Sequence, residues 1–192
     1  MQVTATDLPD VKLITPKRFG DERGFLSEVY KREALRSAGI TAEFVQDNHT
    51  FSANAETVRG LHYQIPPAAQ AKLVFVVHGA IIDVVVDIRW GSPTYGQHVR
   101  VKLDDQLGQQ LFIPEGFAHG FRTLLPNTQV YYKISALYSQ ECERGIPWND
   151  PQLGIDWQLT ADQAILSDRD RRHPPFESLD RFFHYQAASS HD

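Results

Sequence analysis

The sequence predicts a mainly β protein, an antiparallel barrel or sandwich with a few short helices. Three observations predict it. Segments rich in β-branched residues follow one another through the middle of the chain. Turn signals, GSPTYG, DDQLG, PEG and LPN, separate them every 10–15 residues. Only one stretch has a clear helical composition.

Taken in order, KREALRSA (31–38) is that helix, built from strong helix formers and stopped at Gly39. KLVFVV (72–77) and AIIDVVVDI (80–88) read as strands joined at a tight turn, His78-Gly79. HVRVKL (98–103) alternates polar and apolar residues, and QLFIP (110–114) and QVYYKIS (129–135) continue the series. Adjacent strand residues face opposite ways, so only one of Tyr131 and Tyr132 can point inward. The C-terminal third, with LTADQAILSDRDRRHPPF, reads as irregular structure with short helical turns packed on the outside. No repeat or linker divides the chain, so one domain over residues 1–192 is expected, with a flexible tail from about 186.

Composition narrows the function classes. Hydrophobic residues make up 42% and charged residues 22% of the 192, the profile of a soluble globular protein. No apolar run approaches the roughly 20 residues of a membrane helix, and MQVTATDLPD lacks the pattern of a secretory signal. The single cysteine, Cys142, cannot form an internal disulfide and fits a reducing cytoplasm. A net charge of −5 argues against a nucleic-acid partner. A small anionic ligand stays open, since a pocket needs only a few local cations. RDRR (169–172) is the densest cationic spot and reads equally as a solvated turn.

The candidate chemistry starts at RGLHYQ (59–64), where His62 could be a metal ligand, a catalytic base or a packed core residue. The segment GQQLFIPEGFAHG (108–120) has the spacing Gly-x5-Pro-x-Gly-x2-His and resembles the second signature of the cupin barrels, in which the histidine points inward. Metal-binding cupins supply a His-x-His pair and a later glutamate from their first signature. Here Gln64 replaces the second histidine, and the next charged residue is Lys72. Only His62 and His119 are left as ligand candidates, short of the three protein ligands that a catalytic metal needs; no metal is expected. Arg59, His62 and Lys72 are costly to bury together unless an anionic ligand balances them. Asp83, a charge inside IIDVVVD, must also face polar partners.

Longer stretches carry a more specific likeness. DERGFLSEVY (21–30), FVQDNHTFS (44–52), TVRGLHYQ (57–64), AKLVFVVHGAIIDVVVDIRWGSPTYG (71–96), FIPEGFAHGF (112–121), VYYKIS (130–135), ERGIPWNDPQLGIDW (143–157) and ILSDRD (165–170) follow one another in a family's order. The chain resembles the dTDP-4-dehydrorhamnose 3,5-epimerases. The resemblance implies a cupin-type barrel, a homodimer, and no metal or organic cofactor. It also implies a nucleotide-sugar substrate, a 4-keto-6-deoxyhexose inverted at carbons 3 and 5 on the way to dTDP-L-rhamnose.

The residues suit such chemistry. A ketone acidifies the C–H bonds beside it, so epimerisation needs a base, a group that holds the enolate oxygen, and an acid on the opposite face. His62 suits the base. A carboxylate behind it would fix its tautomer; the resemblance makes this Asp170, closing Ser167-Asp168-Arg169-Asp170, with Asp168 the alternative. Lys72 suits the oxyanion, and the resemblance makes Tyr132 the acid. It also assigns Arg23, Phe25, Glu28, Gln46, Asn48, Arg59, His119 and Tyr138 to substrate binding. Asp83, as a charge inside an apolar strand, is expected to belong to the active-site hydrogen-bond network. Arginines fork onto a diphosphate, and an aromatic ring such as Tyr138 suits thymine. Phe75 and Ala136-Leu137 depart from the family's pattern and are expected to bear on the shape of the sugar pocket, hence on whether one or both carbons invert. Two other readings stay open: a metal-dependent cupin and a non-catalytic sugar-nucleotide binder.

Overall fold

The computed structural model describes residues 1–187. Of the expected tail, residues 188–192 lie outside the described residues. The strands are β1 (Gln2–Ala5), β2 (Lys12–Thr15), β3 (Arg18–Asp21), β4 (Gly24–Ser27), β5 (Gln46–Ser52), β6 (Val58–Gln64), β7 (Lys72–His78), β8 (Ala80–Asp87), β9 (His98–Asp104), β10 (Gln110–Ile113), β11 (Phe117–Thr123), β12 (Thr128–Ile134) and β13 (Glu143–Gly145). The helix α1 spans Arg32–Ser37, inside the predicted window. One sheet runs β1-β2-β10-β7-β12-β5, the other β13-β6-β11-β8-β9, and β3 and β4 form a separate hairpin. Each pairing is antiparallel, for example β10 with β7, β12 with β5 and β11 with β8. This is the cupin-like antiparallel architecture that the sequence predicts.

The core lies in three layers. Val74, Val76, Leu111 and Val130 of the first sheet meet Ile81, Val85, Leu103 and Phe121 of the second inside the barrel. Outside the second sheet, Val84 and Val86 pack under Trp148, Trp157 and Phe176 of the C-terminal third. Outside the first, Leu73 and Phe112 pack under Leu35 of α1. Strand β8 is therefore buried on both faces, which is why AIIDVVVD is almost continuously apolar. Asp83 shares parity with Ile81 and Val85 and so faces the barrel interior. Strand β9 has one wet face, hence its alternation.

The turn at His78-Gly79 is tight but does not close a hairpin. Strands β7 and β8 belong to opposite sheets, and the turn is a corner between them. Gly79 has φ 87°, and a Cβ there would stand 2.5 Å from the Thr128 hydroxyl oxygen. Lys72, at the start of β7, sits in the sheet opposite that of His62.

A bulge in β6 positions the functional face. His62 pairs with His119 and Arg59 with Phe121, so Gly60 and Leu61 together oppose Gly120. In a regular strand residues 59 and 62 would point to opposite faces; the extra residue puts both on one side. Only glycine fits at the bulge. Gly60 has φ 104°, and a Cβ would lie 2.6 Å from the His119 carbonyl oxygen and 2.8 Å from the Gly120 Cα. Gly60→Ala is expected to destabilise the fold by about 2–4 kcal/mol through strain and overpacking. Chemical denaturation checks this; an unchanged midpoint would contradict it.

Candidate active site

Strands β5, β6, β7, β11 and β12, with residues 167–170, converge on two adjoining cavities of about 300 and 280 Å³. His62, Lys72, Tyr132 and Glu143 line both. Gln46, Asn48 and Tyr138 line the first, and Arg59, His119 and Asp170 the second.

The Nε2 of His62 lies 2.5 Å from Oδ1 of Asp170. Asp170, not Asp168, meets the histidine, because it opens a 3-10 turn (Asp170–Arg172) that turns its buried side chain inward. Its Oδ2 accepts from Ser167 Oγ at 2.7 Å, and its own backbone N–H donates to the same Oγ at 3.1 Å. Burial opposes the aspartate's charge, but the hydrogen bonds from His173, His62 and Ser167 outweigh it and hold the carboxyl well below the usual carboxylate range. A carboxylate can only accept, so Nε2 of His62 carries the proton and Nδ1 carries the basic lone pair. Burial pushes His62 below the ordinary imidazole value, Asp170 pulls against that, and Lys72 and His173 add to it. His62 is thus neutral near pH 7, as a base must be.

Burial pushes the Lys72 ammonium down to about 8, against the attraction of Asp83. It is cationic in neutral solution and loses its charge in mild alkali. Burial raises the Tyr132 phenol, with Arg59 opposing, so it stays a proton donor. Its neighbour Tyr131 faces outward and donates to Asp47 Oδ2 at 2.9 Å, which resolves the pair as strand parity requires. Arg59 is steadied by Phe51 O at 3.1 Å and Ser52 Oγ at 3.3 Å. His119 and the fully buried Asp83 form a second imidazole–carboxylate pair at 2.5 Å. At the mouth, Tyr138 donates its N–H to Gln46 Oε1 at 3.3 Å and its hydroxyl to Glu143 Oε2 at 2.6 Å. Gln46 in turn donates to Asn48 Oδ1 at 2.9 Å.

Three of the residues assigned by resemblance lie elsewhere in the single chain. Arg23 and Phe25 sit on the β3–β4 hairpin and Glu28 just after it, and none of them lines either cavity. Arg23 pairs with Asp21, the Phe25 ring lies under the Arg18 guanidinium at 4.2 Å, and Glu28 meets Lys31 at 3.6 Å. Phe75 lines neither cavity. Its ring packs against Tyr131, centroids 5.3 Å apart, on the outer face of β7. Sequence reasoning passed over Glu143 and His173. Glu143 pairs with Arg169, and His173 lies 3.3 Å from Asp170 Oδ1. The spacing from Asp170 to His173, one 3-10 turn, was the available signal.

Gln64, standing where metal-binding cupins place a histidine, is used as a clamp. Its amide donates to Ala68 O at 2.7 Å and Leu137 O at 3.2 Å, and its carbonyl oxygen accepts from Ser139 N at 2.8 Å. His62 and His119 are each held by a different carboxylate. Among the described residues, His62, Asp170 and His173 are the one group whose candidate ligand atoms converge, within 4.8 Å of one another.

A profile described as dTDP-4-dehydrorhamnose 3,5-epimerase matches residues 5–178. The chain belongs to the dTDP-4-dehydrorhamnose 3,5-epimerase family. It is 45% identical over 186 residues to the family's enzyme from Sinorhizobium fredii, covering 96% of this chain and 94% of that one. Among solved epimerase structures it is similar to the Legionella pneumophila protein in complex with dTDP-4-keto-L-rhamnose, with TM-score 0.92, 42% identity and coverage of 97% and 99%. It is also similar to the Bacillus anthracis epimerase with TDP and PPi bound, with TM-score 0.88, 48% identity and coverage of 91% and 98%.

Proposed function

We propose that this protein is the epimerase that inverts carbons 3 and 5 of dTDP-4-keto-6-deoxy-D-glucose to give dTDP-4-dehydro-L-rhamnose, in dTDP-L-rhamnose biosynthesis. One observation carries the reading: the His62–Asp170 pair shares its cavity with the Lys72 ammonium and the Tyr132 phenol. The bare Nδ1 of His62 takes the proton beside the ketone, and Asp170 stabilises the imidazolium. The electron pair moves to the carbonyl oxygen, where Lys72 meets the negative charge. Tyr132 returns a proton to the opposite face; the imidazolium then gives its proton to solvent, and solvent reprotonates the phenolate. Arg59 holds the diphosphate and Tyr138 the thymine, with His119, Asp83, Gln46 and Asn48 shaping the pocket between them. No metal or organic cofactor takes part.

The active species is a homodimer, and Arg23, Phe25 and Glu28 act across it. Phe25 and Leu26 of the hairpin are 60% and 68% exposed. Strand β5 is a sheet edge with unpaired backbone on one side, and it carries the cavity residues Gln46 and Asn48. A second copy's hairpin laid along that edge would bring its Arg23, Phe25 and Glu28 to the cavity. Sedimentation is expected to give twice the 21.8 kDa chain mass; only the single-chain mass would contradict it. The chain acts as one domain in the cytoplasm, without nucleic-acid or membrane partners. Among the described residues no helix is long and apolar enough to cross a membrane.

Product analysis tests the reaction. Borohydride reduction of the product mixture should yield L-rhamnose and 6-deoxy-L-talose. Neither sugar forms after inversion at a single carbon, so their absence would leave a single-site epimerase or a binder. Stoichiometric metal with loss of activity on chelation would favour the metal-dependent reading instead.

The pH dependence follows from the titrations of His62 and Lys72. kcat/KM should fall in acid as His62 protonates, below the ordinary imidazole range. It should fall again in alkali as Lys72 loses its charge near 8. Lys72→Arg should remove the alkaline fall from whatever activity remains; an alkaline limb still centred near 8 in that variant would assign it to another group.

A further inference from the structure

We infer that His173 is a positioning residue for the base: it grips Asp170 from behind and tempers the basicity of His62. This rests on the reading of His62 as the base. The Nε2 of His173 lies 3.3 Å from Oδ1 of Asp170, the oxygen that already takes His62 Nε2 at 2.5 Å. Ser167 Oγ holds the other oxygen at 2.7 Å. One carboxylate thus has three side-chain donors, and the two imidazole rings meet edge to face at 5.5 Å.

The fold is arranged to seat this second histidine. His173 packs on Gly145 of β13, the register partner of His62, and a Cβ at Gly145 would overlap the ring. Its side chain is only 9% exposed, so its position is fixed. Because the carboxylate can only accept, both Nε2 atoms carry protons. Two donors on one oxygen divide its charge. The oxygen therefore pulls less strongly on the His62 proton than it would alone, and it cannot rotate away when His62 changes state. Other charged and titratable groups face the unit: Lys72 from β7, Tyr132 from β12, His119 across β11, Glu143 from β13, and Arg169. Outside His173, a cleft is lined by Arg144, Arg169 and Arg172 with Glu143.

The test reads His62 directly. Ring-nitrogen NMR titration of the free protein is compared for the wild type, His173→Phe and His173→Gln, beside the acid limb of kcat/KM and the melting temperature. His173→Phe should raise the His62 pKa by about half a unit to one unit. His173→Gln keeps an N–H donor and should return it towards the wild-type value, even where both variants lose some thermal stability. An unchanged His62 pKa in folded His173→Phe would overturn the proposal and leave His173 a packing residue. Should that variant not fold, the wild-type spectrum decides: protons on Nε2 of both rings support the arrangement, and a bare Nε2 on His173 overturns it. If the His62 pKa moves and the acid limb of kcat/KM does not, the reading of His62 as the base falls, while its coupling to His173 stands.

Discussion

Replacing His62 with alanine is expected to lower kcat/KM by about 10²–10⁴-fold, the usual contribution of a positioned general base. The loss should be chemical, not structural. His62 is half-buried at the cavity wall, and its ring makes one short hydrogen bond, to Asp170. Once His62 is removed, the buried carboxylate keeps Ser167 and His173 as donors. The usual penalty for orphaning a buried charge is therefore largely avoided. Arg59 and Tyr138, the proposed diphosphate and thymine contacts, do not depend on the imidazole. The variant should melt within a few degrees of the wild type and bind dTDP with unchanged affinity. A His62→Ala protein with more than about a tenth of wild-type kcat/KM could not be using His62 as its base.

Tyr132→Phe separates the two halves of the reaction. Removing the phenol leaves the base, its aspartate and the Lys72 cation in place, so the proton beside the ketone should still be lost. Without a donor on the opposite face, the proton returns from the imidazolium to the face it left. Exchange with solvent should continue at a rate near that of the wild type. Inverted product should fall by about 10²–10³-fold, in line with loss of a general acid. Folding should be little affected. Burial, with Arg59 opposing it, sets the state of the phenol, and among the described residues its hydroxyl has no hydrogen-bond partner to lose. Normal inversion by Tyr132→Phe would move the acid to another residue, and loss of exchange along with inversion would place Tyr132 on the base's side of the reaction.

Much of this arrangement was legible in the sequence, and the residues show why. Strands β7, β8, β9 and β12 declared themselves because each must cover the barrel interior, and β8 is apolar on both faces because two layers bury it. Asp83 stood out for the same reason: a charge in such a strand needs a partner, and it has His119. The meeting of His62 with Asp170 was readable only through the family's order of motifs, since 108 residues separate them. Other features depend on three-dimensional registry that no local pattern encodes. The bulge at Gly60 changes which side of β6 Arg59 occupies, and the inter-sheet corner at Gly79 looks like a hairpin until the partners are known. Phe75 looked like a pocket residue by resemblance, but strand parity turns it outward. The Arg23 hairpin is assigned to the substrate yet lies outside the cavity of its own chain, and the exposed edge of β5 accounts for this only if a second copy is present.

The most direct test of the central claim is proton NMR of dTDP-4-keto-6-deoxyglucose incubated with the protein in heavy water. Deuterium entering at both carbon 3 and carbon 5, with conversion to the L-lyxo product, is the expected result. It would establish abstraction and return of a proton beside the ketone on each side. No deuterium at either carbon, from protein that binds the nucleotide, would contradict the account and withdraw His62 from the role of base.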